Sequence, residues 1–147
     1  EEADGVWKLT VTKSSTVMPK TNPDDYCAPS IPHFEKADYA VVISSDRMGE
    51  GDEQLGRLLI TNFIKALKDI SRLPQTIIFY NSGVKLAIKG SNVAEHLLDL
   101  EKMGVEIVLC ATCVEHYKLT DQVAAGSLSN MFTIAEIMSN TGKIIKP

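Results

Sequence analysis

The sequence predicts an α/β domain: a mostly parallel sheet of four to five strands with helices on both faces. Between residues 37 and 147, short unbroken apolar runs alternate with longer segments whose apolar residues recur every three or four positions. Strands buried on both faces give the first pattern and sheet-covering helices the second. The connections are short, as parallel crossover units require. A chain of 147 residues, 44% of them hydrophobic, suffices for one sizeable core and a small appendage.

Val6 to Lys13 alternates apolar and polar residues with period two, so it reads as a strand with one wet face and no local partner. Residues 14–37 contain Pro19, Pro23, Pro29 and Pro32, four of the six prolines, among Ser, Thr, Asn and Asp, and read as a linker. Tyr39 to Ile43 is the first buried strand. Asp52 is placed to cap a helix running to about Arg72, with Leu55, Leu59, Phe63, Leu67 and Ile70 along its core face and Leu58, Ile60, Ile64 and Ala66 widening it. Pro74 stops that helix, and Thr76 to Tyr80 is the second strand. An irregular turn is expected over Val84 to Lys89.

Ser91 or Asn92 caps the next helix, whose apolar face is Val93, Leu97, Leu98 and Leu100 and which Gly104 closes. Val105 to Leu109 is the third strand, and Cys110 begins the turn into another helix. A short helix near Thr120 to Ala125, a helix over Met131 to Met138 and a last strand at Lys143 to Lys146 complete the pattern.

The net charge of −4 and the lack of a basic stripe argue against a nucleic-acid phosphate backbone as partner. No window approaches the roughly 20 apolar residues of a membrane span, and Glu1-Glu2-Ala3-Asp4 is unlike a basic signal leader, so a cytoplasmic protein is expected. Three cysteines, at 27, 110 and 113, do not make a secreted disulfide framework.

In parallel sheets, chemistry gathers beyond the carboxyl ends of the strands. Three loops meet there: Ser45 to Gly51, Asn81 to Lys85, and Cys110 to Cys113. Cys110 ends a strand, and Cys113 lies three residues on, in the first turn of a helix, where backbone N–H groups favour a thiolate. A second thiol at that spacing can resolve a persulfide or mixed disulfide. Two other readings stay open. Both can be ordinary core cysteines, or, with His116, they can supply three zinc ligands, although nothing completes a structural site. The sequence calls for neither a metal nor a cofactor. Gly49-Glu50-Gly51-Asp52-Glu53-Gln54-Leu55-Gly56 misplaces the third glycine of a dinucleotide fingerprint, and its acidic residues would repel a pyrophosphate. Its glycines suit a tight turn and close helix packing. Asn81-Ser82-Gly83 suits a plain turn or a set of donors near the cysteines, and Lys85 a solvated or thiolate-facing charge. Cys27 reads as an exposed linker thiol, and neither His33 nor His96 has a role.

Val41-Val42-Ile43-Ser44-Ser45-Asp46-x-Met48-Gly49-x-Gly51, Thr76 to Leu86, Cys110-x-Thr112-Cys113 and Asn130-Met131-x-Thr133-Ile134 together resemble the C-terminal domain of YedF-type proteins, sulfurtransferase-like proteins grouped with selenium metabolism in the DsrE-like sulfur-relay superfamily. The resemblance spans residues 38–147. It implies a flavodoxin-like three-layer fold, a carrier cysteine at Cys110, an additional cysteine at Cys113, and a rim of Asp46, Met48, Asn81, Ser82, Gly83, Lys85 and Thr112. It implies that residues 1–13 are the last strand of a TusA-like domain, followed by the linker over 14–37, so that the chain starts part-way through a truncated or proteolysed protein. The implied partners are that TusA-like domain or another sulfur or selenium carrier, and further copies of the chain in a dimer or trimer. Relatives usually carry glycine where this chain has Lys118.

The leading expectation is therefore sulfur or selenium trafficking through a persulfide on Cys110, released with the help of Cys113. A binding or oligomerisation module without turnover and a thiol-disulfide redox protein are the alternatives.

Overall fold

The computed structural model describes residues 36–147 together with Glu2–Ala3 and Val6–Trp7. Residues 1–33 and 34–147 form two separate units. In the first, strands β1 (Glu2–Ala3) and β2 (Val6–Trp7) pair antiparallel, Glu2 opposite Trp7 and Ala3 opposite Val6. The expected strand thus has a local partner where it is described. The rest of that strand, the linker to residue 35, Cys27 and His33 lie outside the described residues.

The second unit is built on five parallel strands, β3 (Lys36–Ile43), β4 (Leu73–Phe79), β5 (Glu106–Cys110), β6 (Ser127–Ser129) and β7 (Ile144–Ile145), in the spatial order β6-β5-β4-β3-β7. Successive strands from β3 to β6 step in one direction, with helices α1 (Glu53–Ala66), α2 (Ala94–Lys102) and α3 (Ala111–His116) between them. The chain then returns through α4 (Met131–Asn140) to place β7 on the far side of β3. A right-handed crossover made in the opposite direction must put its helix on the opposite face. Two apolar layers result, and the architecture is the expected flavodoxin-like α/β sandwich.

Side-chain alternation along the strands sorts the core. Val41, Ile43, Ile77, Phe79, Ile107 and Leu109 pack beneath the α1–α3 face with Ile60, Ile64, Leu97, Leu100 and Val114. Val42, Ile78, Val108 and Cys110 point the other way and are covered by Ile134 of α4. Cys110 is two residues from Val108, so the same period that buries Val108 buries Cys110.

Several local expectations change. The first helix ends at Ala66, and β4 begins at Leu73, so Pro74 lies inside the strand, opposite Ala37, where the register shifts between Ala37 and Ala40. The buried face of α1 is Gly56, Ile60 and Ile64, while Leu55, Leu58 and Leu59 are exposed. A Cβ on Gly56 would sit 3.0 Å from Arg47 Cβ and 3.2 Å from Met48 O, so this glycine permits the close approach that orients the helix. Asp52 caps as expected, its Oδ1 accepting the Leu55 N–H at 2.8 Å. Helix α2 has no side-chain cap. Ser91 Oγ instead accepts from Val93 N–H at 3.3 Å, and Leu98 is exposed.

Residues 81–87 form a 3-10 helix where an irregular turn was expected from Val84. The expected helix near Thr120 reduces to the 3-10 turn Thr120–Gln122, followed by β6, whose three residues carry no strand signal of their own. The last helix extends to Asn140, with Asn130 Oδ1 accepting the Thr133 N–H at 2.9 Å.

Candidate functional site

Pairing of β5 with β4 in the register Phe79 opposite Leu109 brings Tyr80-Asn81 beside Cys110 and the first turn of α3. The 3-10 helix that starts at Asn81 is held against the sheet end by Gly83. A Cβ there would lie 2.3 Å from Ile43 O, so only glycine fits. Tyr80 N–H donates to Ile43 O at 3.2 Å, and Asp46 N–H donates to Ser82 Oγ at 3.3 Å. These contacts join the first two loops. Ser82 is occupied in that junction and makes no hydrogen bond to Cys110 or Cys113.

Asn81 joins the second loop to the third. Its backbone lies in the left-handed region, φ 50°, a conformation that asparagine tolerates better than most residues. There its N–H donates to Cys113 Sγ at 3.0 Å. Its side-chain Oδ1 accepts a hydrogen bond from Tyr117 Oη, also at 3.0 Å. Tyr117 is one helical turn beyond Cys113, and its ring is flanked by Lys85 Nζ, 4.4 Å from the centroid, and by the His116 ring, nearly perpendicular with centroids 5.0 Å apart.

The two thiols are both free and differ in surroundings. Cys110 is 1% exposed, enclosed by the α4-side core. Cys113 is half-buried and lines an open cleft of about 270 Å³ with Tyr80, Asn81, Thr112, His116 and Tyr117. Burial pushes the Cys113 thiol above its ordinary pKa, the neighbouring Cys110 thiol raises it further, and the Asn81 N–H acts against both.

The rim expected from the sequence is divided. Asn81, Thr112 and Cys113 share this cleft. Asp46 and Lys85 line a second cleft of about 200 Å³ with Arg57, whose guanidinium pairs with the Asp46 carboxylate at 3.3 Å. Lys85 meets the residues of the cysteine cleft at the face of Tyr117. Met48 packs partly buried against the main core, its N–H donating to Gly56 O at 2.9 Å, and serves the loop rather than the thiols. Tyr117 is the site residue that sequence reasoning passed over. Its position four residues after Cys113, on the same helix face, is the signal that could have found it. The acidic glycine loop works as a turn and helix start, with Gly49 at φ 78° and Arg47 paired to Glu53. Among the described residues, no group of three or more His, Cys, Asp and Glu side chains could hold a metal ion. No helix among them is long and apolar enough to cross a membrane.

A five-stranded parallel sheet with helices on both faces and a cysteine pair at the carboxyl end of an interior strand defines a flavodoxin-like α/β domain. The chain belongs to the DsrE/DsrF-like family, whose model matches residues 38–147. Its fold is similar to the crystal structure of the ychN protein from E. coli, with a TM-score of 0.56 and 16% identity over 77% of this chain and 99% of that one. It is also similar to MTH1491, a protein of unknown function from Methanobacterium thermoautotrophicum, with a TM-score of 0.54 and 20% identity over 74% of this chain and 97% of that one. No curated protein matches the chain.

Proposed function

We propose that this chain is a sulfur- or selenium-trafficking carrier of the YedF type, which holds its cargo as a persulfide or its selenium counterpart on the Cys110/Cys113 pair. The observation that carries the reading is a cysteine sulfur at the mouth of a cleft, 3.0 Å from a backbone N–H that can stabilise a sulfur anion, with a second thiol three residues away. The sulfur-relay association of DsrE-like proteins supports the same chemistry. Incubated with a persulfide donor, the wild-type chain should gain sulfur at the pair and pass it to an acceptor thiol. A chain with both residues changed to Ser should gain none there. If the wild type acquires no label at Cys110 or Cys113 while a control carrier is labelled, the carrier reading fails.

The partners proposed are a TusA-like domain or another carrier protein, and further copies of the chain. Leu55, Leu58 and Leu59 on α1 and, on the opposite face of the sheet, Phe132 at 77% exposure are exposed apolar side chains that support self-association. Leu128 and Met131 are exposed beside Ser129, which pairs in register with Cys110, so an assembly through that edge would lie next to the thiols. Light scattering that returns only a monomer at micromolar concentration would refute the assembly. A non-catalytic binding module predicts that the double Ser variant keeps partner binding and biological activity. A thiol-disulfide redox protein predicts a reversible Cys110–Cys113 disulfide with a measurable potential.

A further inference from the structure

We infer, resting on the carrier reading above, that Cys113 is the sulfur that receives the cargo and that Tyr117 positions the Asn81 amide that stabilises it. Attack on a persulfide requires the incoming sulfur, the transferred sulfur and the departing sulfur to lie nearly in line. That line needs open space on the far side of the attacking atom's target. Cys110, 1% exposed and covered by Ile134, has none. Cys113 opens into the cleft between Asn81, Thr112 and Tyr117.

The step balances without an oxidant. The Cys113 thiolate attacks the outer sulfur of a donor persulfide R–S–SH; the new bond is Cys113 S–S, the R–S bond to the outer sulfur breaks, and the electron pair leaves on the donor thiolate R–S⁻. The transferred sulfur then stands about 2 Å beyond Cys113 Sγ, in the cleft. An acceptor thiolate reverses the same step and restores Cys113. Cys110 stays buried behind Cys113 and takes no part in this step.

Tyr117 enters because it bonds the side chain of the residue that supplies the stabilising donor. Asn81 donates its N–H to Cys113 Sγ from a backbone at φ 50°, and the Tyr117 Oη to Asn81 Oδ1 bond of 3.0 Å fixes the side chain of the same residue. Tyr117 touches no sulfur itself. It acts through Asn81, with Lys85 over its ring.

The full chain, incubated with glutathione persulfide at neutral pH and mapped by peptide mass spectrometry, tests the order. Cys110→Ala should be labelled at Cys113 at an initial rate within about twofold of wild type, whereas Cys113→Ala should lose at least about tenfold in labelling at Cys110, because a buried thiol must wait for local opening. Tyr117→Phe keeps the ring and should slow labelling at Cys113 by about fivefold, the rate equivalent of one hydrogen bond. It should also move the pH profile of Cys113 alkylation to higher pH, which a merely structural role would leave in place. Labelling of Cys110 in Cys113→Ala at the wild-type rate overturns the order. An unchanged rate and pH profile in Tyr117→Phe overturns the positioning role. Absence of label on the wild type overturns the carrier reading itself, a distinct result.

Discussion

Gly83→Ala should uncouple the Asn81 loop from the sheet. The added Cβ would stand 2.3 Å from Ile43 O and 3.0 Å from the Ile43 carbonyl carbon, both backbone atoms. An ordinary C···O contact is about 3.3 Å or longer, so roughly 1 Å of separation must open. No rotamer change can supply it. The shift weakens the Tyr80 N–H to Ile43 O bond, now 3.2 Å, and the Asp46 N–H to Ser82 Oγ bond, now 3.3 Å. Overpacking against a fixed neighbour costs about 1–3 kcal/mol and each weakened bond up to about 1 kcal/mol, for a total loss of about 3 kcal/mol. Urea unfolding should show a lower midpoint with an unchanged slope. Because the same loop carries the Asn81 N–H, alkylation of Cys113 should also change in rate under native conditions. Gly51→Ala, whose Cβ meets nothing within 4 Å, is the control and should stay within about 0.5 kcal/mol of wild type. A loss below about 1 kcal/mol in Gly83→Ala, with Cys113 reactivity intact, would refute the packing argument.

Lys118 occupies the left-handed region at φ 57°, so Lys118→Gly should stabilise the domain by about 0.5–1 kcal/mol, relief of strain outweighing the greater freedom of the unfolded chain; a lower melting temperature would refute it. Asp52→Ala removes the acceptor for Leu55 N–H and should cost about 1 kcal/mol, read by urea unfolding, with no change in Cys113 alkylation. The raised Cys113 pKa favours the neutral thiol in the folded state: its contribution to stability is present below the unfolded thiol's pKa and is lost as pH rises through the folded value. Iodoacetamide should therefore modify Cys113 with a pH midpoint above that of a free thiol in the same buffer, and a midpoint at or below it would contradict the burial argument.

The strand cores, the Asp52 cap and the placement of Cys110 at a strand end were legible in local sequence, because each depends on residue type and a spacing of two to four positions. The same period of two holds the burial of Cys110, since Val108 and Cys110 share a face. The resemblance set Lys118 apart as standing at a position expected to be glycine, and its backbone lies in the left-handed region. What could not be read locally depends on partners far along the chain. Ser127-Leu128-Ser129 is a strand only because β5 offers it an edge. Helix α1 is apolar around much of its circumference, and the close approach at Gly56 selects the face that is buried. Which thiol opens to solvent was decided when α4 crossed to the Cys110 face and left Cys113 beside the Asn81 loop. Residue types and short periods determine which segments become strands and helices. Only the crossover that carries the chain to β7 determines which sulfur is covered, because covering requires an element distant in sequence to arrive on one side of the sheet.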